Sequence, residues 1–203
     1  VGVSIGTTVA GQEWFYKLSG NTILKDYALG NFCSVNAEFL KGKFLTVITE
    51  LSYAQKGCRE GLPDLFIRLP SYFSTYRTYD TRFNYLSSSL LLRARMENGR
   101  WIPYCFGGAR MDYQLNYSSD YNFKDLEEFM NEKIWGIDLG FGIEYKIFPG
   151  GVRAEFRHHH DFDPLLDMPN SDAHSGLTVY NNAYIFNIGI KYYFRNPKRI
   201  LVK

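Results

Sequence analysis

Ile134 to Ile147 reads Ile-Trp-Gly-Ile-Asp-Leu-Gly-Phe-Gly-Ile-Glu-Tyr-Lys-Ile, and no other stretch of the chain restricts the fold so tightly. Its odd positions (Trp135, Ile137, Leu139, Phe141, Ile143, Tyr145 and Ile147) are all large and apolar. Its even positions include Gly136, Asp138, Gly140, Gly142, Glu144 and Lys146. A period of two is the signature of a strand with unlike faces. A half-buried strand of a soluble sandwich alternates in the same way, but rarely for so long. A bilayer-crossing strand needs roughly 9 to 11 residues, with aromatic side chains at both interfaces, and this stretch meets both conditions.

Seven further segments alternate. The first, Val1 to Ala10, sets Val1, Val3 and Ile5 against Gly2, Ser4, Gly6 and Thr8, and Gln12 to Leu24 follows it as a loop. Tyr27 to Phe39 carries Tyr27, Leu29, Cys33, Val35, Ala37 and Phe39 in phase, and Lys41-Gly42-Lys43 turns the chain. Phe44 to Gln55 opposes Leu45, Val47, Leu51 and Tyr53 to Thr46, Glu50 and Ser52. A long connection, Gly57 to Tyr79, leads to Asp80 to Met96, where Leu86, Leu90 and Leu92 oppose Arg93 and Arg95. An Asn98-Gly99 pair, a strong hairpin signal, precedes Trp101 to Tyr117. Ser118 to Glu132 is an acidic loop with a turn of helix near Lys124 to Met130. After Ile134 to Ile147, Pro149-Gly150-Gly151 turns into Val152 to His160, a loop runs from Asp161 to Leu177, and Val179 to Phe194 is the last strand.

The connections alternate between short and long, which collects the tight turns at one end. These features predict an all-β fold: an eight-stranded antiparallel up-and-down transmembrane β-barrel with short periplasmic turns and long extracellular loops. Residues 1–195 form the barrel and 196–203 a short basic periplasmic tail. The 203 residues suit one such domain, and the segment at the start reads as a mature exported form. The chain is 45% hydrophobic and 17% aromatic, yet its mean hydropathy is -0.26. Inward polar residues cancel outward apolar ones in that average. No apolar run is long enough for a membrane helix. A net charge of +2 without a basic block excludes a nucleic-acid groove.

The charges lie on the face opposite the apolar rows: Glu50, Arg93, Arg95, Arg110, Asp112, Asp138, Glu144, Lys146, Arg153, Glu155, Arg157 and Lys191. In a soluble barrel they would face water. An eight-stranded interior, however, is too narrow for so many rows of Phe, Trp, Tyr and Ile. The charges are therefore assigned to the lumen, where acids and bases pair as a plug.

Several runs together resemble the PorT-like outer-membrane β-barrel family of Bacteroidota over nearly the whole chain. They are Glu50-Leu51-Ser52-Tyr53 with Lys56-Gly57, Tyr85-Leu86 to Leu91-Leu92, Pro103-Tyr104 with Gly107-Gly108, Gly140-Phe141-Gly142-Ile143-Glu144-Tyr145, and Glu155-Phe156-Arg157. The resemblance implies the outer membrane as location and an accessory role in secretion machinery.

Other candidate chemistry is thinner. His158-His159-His160-Asp161, with His174 beyond, could hold a transition metal. Alternation sends His159 and Asp161 inward and His158 and His160 outward, so a closed site needs ligands from elsewhere. A hydrolase built from His159, Asp161 and Ser118 or Ser119 has no nucleophile motif behind it. Cys33, Cys58 and Cys105 form neither a disulfide framework nor a zinc pattern, and nothing in the sequence calls for a cofactor. In the connection after Gly57, Leu65, Phe66, Ile67, Tyr72, Phe73 and Tyr76 are too apolar for a solvated loop and mark a partner surface. The expected partners are outer-membrane lipids and another outer-membrane protein. The expected function is that of a non-enzymatic structural or accessory subunit, with a narrow porin, an outer-membrane hydrolase and a soluble ligand-binding barrel as alternatives.

Overall fold

A strand that crosses hydrocarbon must have both edges paired, because no water is there to satisfy its N–H and C=O groups. The computed structural model describes residues 1–40, 42, 44–63, 76–96, 99–120, 124–170 and 176–193, and in it this condition is met by closure. Eight long strands make the wall: β1 (Gly2–Tyr16), β3 (Asp26–Phe39), β4 (Leu45–Pro63), β5 (Tyr76–Arg95), β6 (Trp101–Ser119), β7 (Lys133–Ile147), β8 (Gly150–Asp161) and β10 (Leu177–Tyr192). Each pairs antiparallel with its neighbour in sequence, and β1 pairs β10 from Gly2↔Lys191 to Tyr16↔Leu177. Two short strands, β2 (Asn21–Leu24) and β9 (Leu166–Met168), add to the upper ends of β1 and β10, and a 3-10 helix spans Lys124–Phe129.

The register fixes the barrel's shape. Followed from Gly2 through Asn36, Glu50, Ser89, Arg110, Gly136 and Asp161, and one residue beyond the last β8–β10 rung to Asn181, the ladder returns to β1 at Gln12. That is ten residues above its start, a stagger that goes with a strand tilt of about 40°. Every residue on this circuit is glycine or polar, and all are buried or nearly so. The opposite parity is apolar and exposed, for example Ile5, Leu29, Val35, Leu51, Leu90, Leu139, Phe141 and Ile188. An aromatic collar bounds this band at each end. Phe39, Trp101, Tyr145 and Tyr192 lie at the short-turn end, and Tyr27, Tyr113, Trp135 and Phe162 at the long-loop end. Trp135 and Tyr145 stand ten residues apart on β7, about 33 Å along the strand. At that tilt the band is about 25 Å tall, the thickness a membrane barrel needs.

A soluble barrel has the reverse polarity, so the soluble alternative is corrected by the faces themselves. The loop boundaries are corrected as well. β1 continues through Trp14, Phe15 and Tyr16, and the segment read as a loop from Gln12 to Leu24 contains β2. Both ends of the connection read as Gly57 to Tyr79 are strand, since β4 runs to Pro63 and β5 starts at Tyr76. Alternation fails as a guide in these upper segments because they have left the hydrocarbon. Above the last rungs to β3 (Asp26↔Arg59) and β6 (Thr81↔Ser119), β4 and β5 pair with each other alone up to Pro63↔Tyr76. They form a two-stranded ribbon standing above the rim. The residues assigned from sequence to a partner surface, Leu65, Phe66, Ile67, Tyr72 and Phe73, lie outside the described residues, as do His174, the tail after residue 193 and the side chain of Tyr76.

The inward glycines of β7 are spacers. An ideal Cβ on Gly140 would lie 2.5 Å from the Phe106 ring and 2.5 Å from the Phe156 carbonyl oxygen, and one on Gly142 would lie 2.7 Å from the Tyr104 ring. We expect Gly140→Val to destabilise the barrel by at least about 1–3 kcal/mol, the range for overpacking. Urea unfolding in lipid vesicles measures it, and an unchanged midpoint would mean that Phe106 has room to yield.

Candidate functional site in the barrel lumen

Alternation forces every second residue of eight strands into one narrow channel, and this chain places charge there. All eleven residues assigned from sequence to the lumen cluster are buried: Glu50, Arg93, Arg95, Arg110, Asp112, Asp138, Glu144, Arg153, Glu155, Arg157 and Lys191. Lys146, counted on the same face, is half-buried at the short-turn end.

In the half nearer the short turns, Glu38 accepts from Arg93 Nη1 at 2.5 Å and from Lys191 Nζ at 2.6 Å, and Lys191 also reaches Glu144 at 3.2 Å. Glu155 accepts from Arg93 Nη2 at 3.2 Å, Arg157 Nη2 at 2.8 Å and the Tyr104 hydroxyl at 2.8 Å. Arg157 forks onto Glu50, whose Oε2 lies 2.9 Å from Nη2 and also accepts from Ser34 at 3.2 Å. Arg153 donates to Ser4 Oγ at 2.5 Å and Asn36 Oδ1 at 3.3 Å. The guanidinium planes use aromatic faces as well, Arg93 over Tyr104 at 4.3 Å and Arg157 over Phe106 at 5.0 Å.

Midway, Arg110 binds three carboxylates. Its Nη1 donates to Asp138 at 2.9 Å, its Nη2 contacts Asp161, and its Nε lies 2.9 Å from Asp112 Oδ1. Lys56 Nζ joins two of the same acids, Asp112 at 2.6 Å and Asp161 at 3.0 Å. Among the described residues the buried charged side chains are seven bases (Lys56, Arg93, Arg95, Arg110, Arg153, Arg157, Lys191) and six acids (Glu50, Asp112, Asp138, Glu144, Glu155, Asp161), with the half-buried Glu38 as a further acid of the same network. Every one of these acids lies in an ion pair. Acids and bases are thus close to balance and paired, the condition under which charges are tolerable out of water.

Above this level the interior changes character. Gln12 donates to Asn181 Oδ1 at 2.9 Å, Asn181 to the Tyr85 hydroxyl at 3.2 Å, and Trp14 to Gln12 Oε1 at 3.0 Å. Beyond them Phe83, Ile134, Leu165, Leu166, Met168, Leu177 and Val179 form an apolar cluster, against which Trp14, Tyr16, Leu126, Phe129 and Met130 pack. The loop from Asp161 to Leu177 is thus partly drawn into the mouth, where Leu165 N–H donates to the Val179 carbonyl at 2.7 Å. At the loop's outer edge Lys17 holds Asp167 at 2.6 Å, and that hydrogen bond keeps the carboxyl below the usual carboxylate range.

Sequence reasoning missed Glu38 and Lys56 as members of the network. Lys56 shares the parity of Glu50 and Ser52, so extending the third strand past Gln55 would have found it. His159 and Asp161 are inward and buried, but as part of the ion-pair system. Asp161 is engaged by Lys56 and Arg110. His159 Nε2 lies 3.4 Å from Asp138 Oδ1, and neither ring nitrogen has a hydrogen-bond partner. Among the described residues no group of three or more His, Cys, Asp or Glu side chains is arranged to hold a metal ion. The hydrolase set does not assemble either. His159 shares a rung with Asp138 and Gly108, and Ser118 lies ten residues further along β6, about 30 Å away. Ser119 is hydrogen-bonded to Thr81 at 2.8 Å. Cys33 and Cys105 face outward and Cys58 inward, all as free thiols.

Among solved structures the chain is similar in fold to Neisserial surface protein A, at 12% identity and a TM-score of 0.47 over 94% of this chain and 97% of that one. It is also similar to Ail of Yersinia pestis, in a complex with the heparin analogue sucrose octasulfate, at 16% identity, a TM-score of 0.38 and 94% and 98% coverage. A third similar structure is the outer membrane enzyme PagL, at 10% identity, a TM-score of 0.43 and 91% and 98% coverage. No curated protein matches the sequence. The family model described as outer membrane protein beta-barrel domain matches residues 1–162, most of the chain. With a closed eight-stranded wall, an apolar belt and a charged interior, the chain belongs to the outer membrane protein beta-barrel domain family and lies in the outer membrane.

Proposed function

We propose that this chain is a non-catalytic outer-membrane barrel with a plugged lumen, serving as an accessory subunit of a larger outer-membrane assembly of the secretion or transport kind. The observation that carries this reading is the pairing of every buried acid of the lumen with a buried base, beneath an apolar cap. A conduction path needs mobile water and uncommitted charge, whereas here side chains from opposite walls occupy the lumen and hold one another. A catalytic site needs a nucleophile or base poised at an accessible surface. The carboxylates of this lumen are committed to ion pairs instead.

The task then falls to the outside of the barrel. Among the described residues no third strand flanks the β4–β5 ribbon above the rim, and such edges invite pairing with another chain. The sequence that follows Pro63, with Leu65, Phe66, Ile67, Tyr72, Phe73 and Tyr76, has the composition of a partner surface. The partner is another outer-membrane protein, and the secretion context rests on the sequence resemblance to the PorT-like family.

Three measurements test the proposal. Planar bilayers containing the purified protein are expected to show no stable unit conductance; regular steps would replace the plug by the narrow porin. Asp138→Ala leaves Arg110 short of one anion, and loss of a partner in a buried network costs about 3–5 kcal/mol. The urea midpoint in vesicles should fall accordingly, and an unaltered midpoint would argue against a plug held by ion pairs. Replacing residues 64–75 with a short Gly-Ser linker should leave the barrel folded and abolish co-purification with other outer-membrane proteins from native membranes. Unchanged co-purification would move the partner surface elsewhere.

A further inference from the structure

We propose that His158 and His160, with Asn182 behind them, form a two-imidazole site for a divalent transition metal of the copper, nickel or zinc kind on the outer wall of the barrel. The two side chains flank His159 on β8, so alternation sends them outward together while His159 enters the lumen. They are neighbours on one face, with ring centres 6.0 Å apart and planes inclined by 36°. A metal bound through nitrogen at 2.0–2.1 Å brings two ring centres to roughly 5 Å. Closing the difference takes side-chain rotation and no movement of the strand.

The surroundings prepare both rings. His160 pairs with Asn182 across the β8–β10 ladder, and its Nδ1 lies 3.1 Å from Asn182 Oδ1. An amide oxygen can only accept, so Nδ1 carries the proton and Nε2 keeps its lone pair for a metal. Ligating histidines are commonly fixed in this way from behind. His158 stacks on Tyr184, its own cross-strand partner, at 4.9 Å and 22°, and Phe162 meets His160 edge-on at 5.8 Å. Imidazole nitrogen suits copper, nickel and zinc, with copper(II) the tightest of the divalent series.

The position allows access. His160 stands beside Ile137, two residues below Trp135 of the upper aromatic collar. Collar side chains sit where headgroups meet water, so water or a lipid phosphate can reach the pair from the His160 end, His158 lying deeper beside Leu139. This site does not depend on whether the lumen conducts.

The test uses tag-free full-length protein in detergent micelles, titrated with copper(II) in a non-coordinating buffer and followed by calorimetry and electron paramagnetic resonance. One copper per chain with a two-nitrogen equatorial signature is expected. His158→Ala and His160→Ala should each weaken binding about tenfold or more, and Asn182→Ala about tenfold, the usual loss for an orienting partner. The double replacement of His158 and His160 should remove the two-nitrogen signature while the barrel keeps its heat-modifiable migration, because both side chains face outward. His174→Ala should bind copper as the unaltered protein does. Absence of stoichiometric binding, survival of the signature in the double replacement, or its loss with His174→Ala would each overturn the proposal.

Discussion

The rest of the structure depends on the pairing of charge across the lumen. The ion pairs connect strands far apart in the wall: Lys56 of β4 to Asp112 of β6 and Asp161 of β8, Arg157 of β8 to Glu50 of β4, and Glu38 of β3 to both Arg93 of β5 and Lys191 of β10. Contacts of this kind span the interior, whereas the backbone ladder holds only neighbours. They brace opposite walls and penalise any slip of register, since moving a strand by one residue would turn its charged row into lipid and its apolar row into the lumen. The glycines of β7 serve the same end by leaving space for the rings that line Arg93 and Arg157. The network is a weak source of net stability relative to a well-packed apolar core, but inside the membrane-spanning wall the inward apolar groups form only small clusters, Ile48 with Leu91, Tyr104 and Phe106, and Phe32 with Ala54 and Ile185.

Higher in the barrel the logic reverses. Above the level of Gln12, Tyr85 and Asn181 the inward side chains become Trp14, Tyr16, Phe83, Ile134 and Val179, while outward ones include Glu13, Arg59 and Lys133. The wall has passed the collar and now meets water outside, so apolar groups gain by turning inward. The same continuous strands are therefore an inverted barrel in the membrane and an ordinary one above it. The 3-10 helix and β9 fit this upper part because they supply the residues that fill its mouth.

That reversal also decides what was legible in the sequence. Within the membrane the alternation assigns the face of almost every residue, and eight strands, their closure and the buried charges follow from it. Beyond the collar Trp14-Phe15-Tyr16 has no polar member to mark a phase, and Gly57 to Pro63 mixes small and charged residues. Both were read as loop although the ladder continues through them. Lys56 was lost at that boundary. β2, β9 and the packing of Leu165 and Leu166 depend on contacts with β1 and β10, which no local pattern encodes. The division of the histidine run is legible by contrast, since alternation alone sends His159 inward and His158 and His160 outward, as the structure has them.

β8 shows how strongly environment overrides residue type. His159 sits among Arg110, Lys56 and Arg157 with Asp138 beside it, in a volume already filled by committed charges, and offers a metal neither space nor partners. His158 and His160, one residue to either side, lie on a surface with open directions and a hydrogen-bond acceptor in place to set the tautomer. A strand that obeys a period of two can therefore carry a structural histidine and a ligating pair in three consecutive positions. The ion-pair network that fixes the register of β8 is also what holds that pair outward, so the outer site inherits its geometry from the lumen.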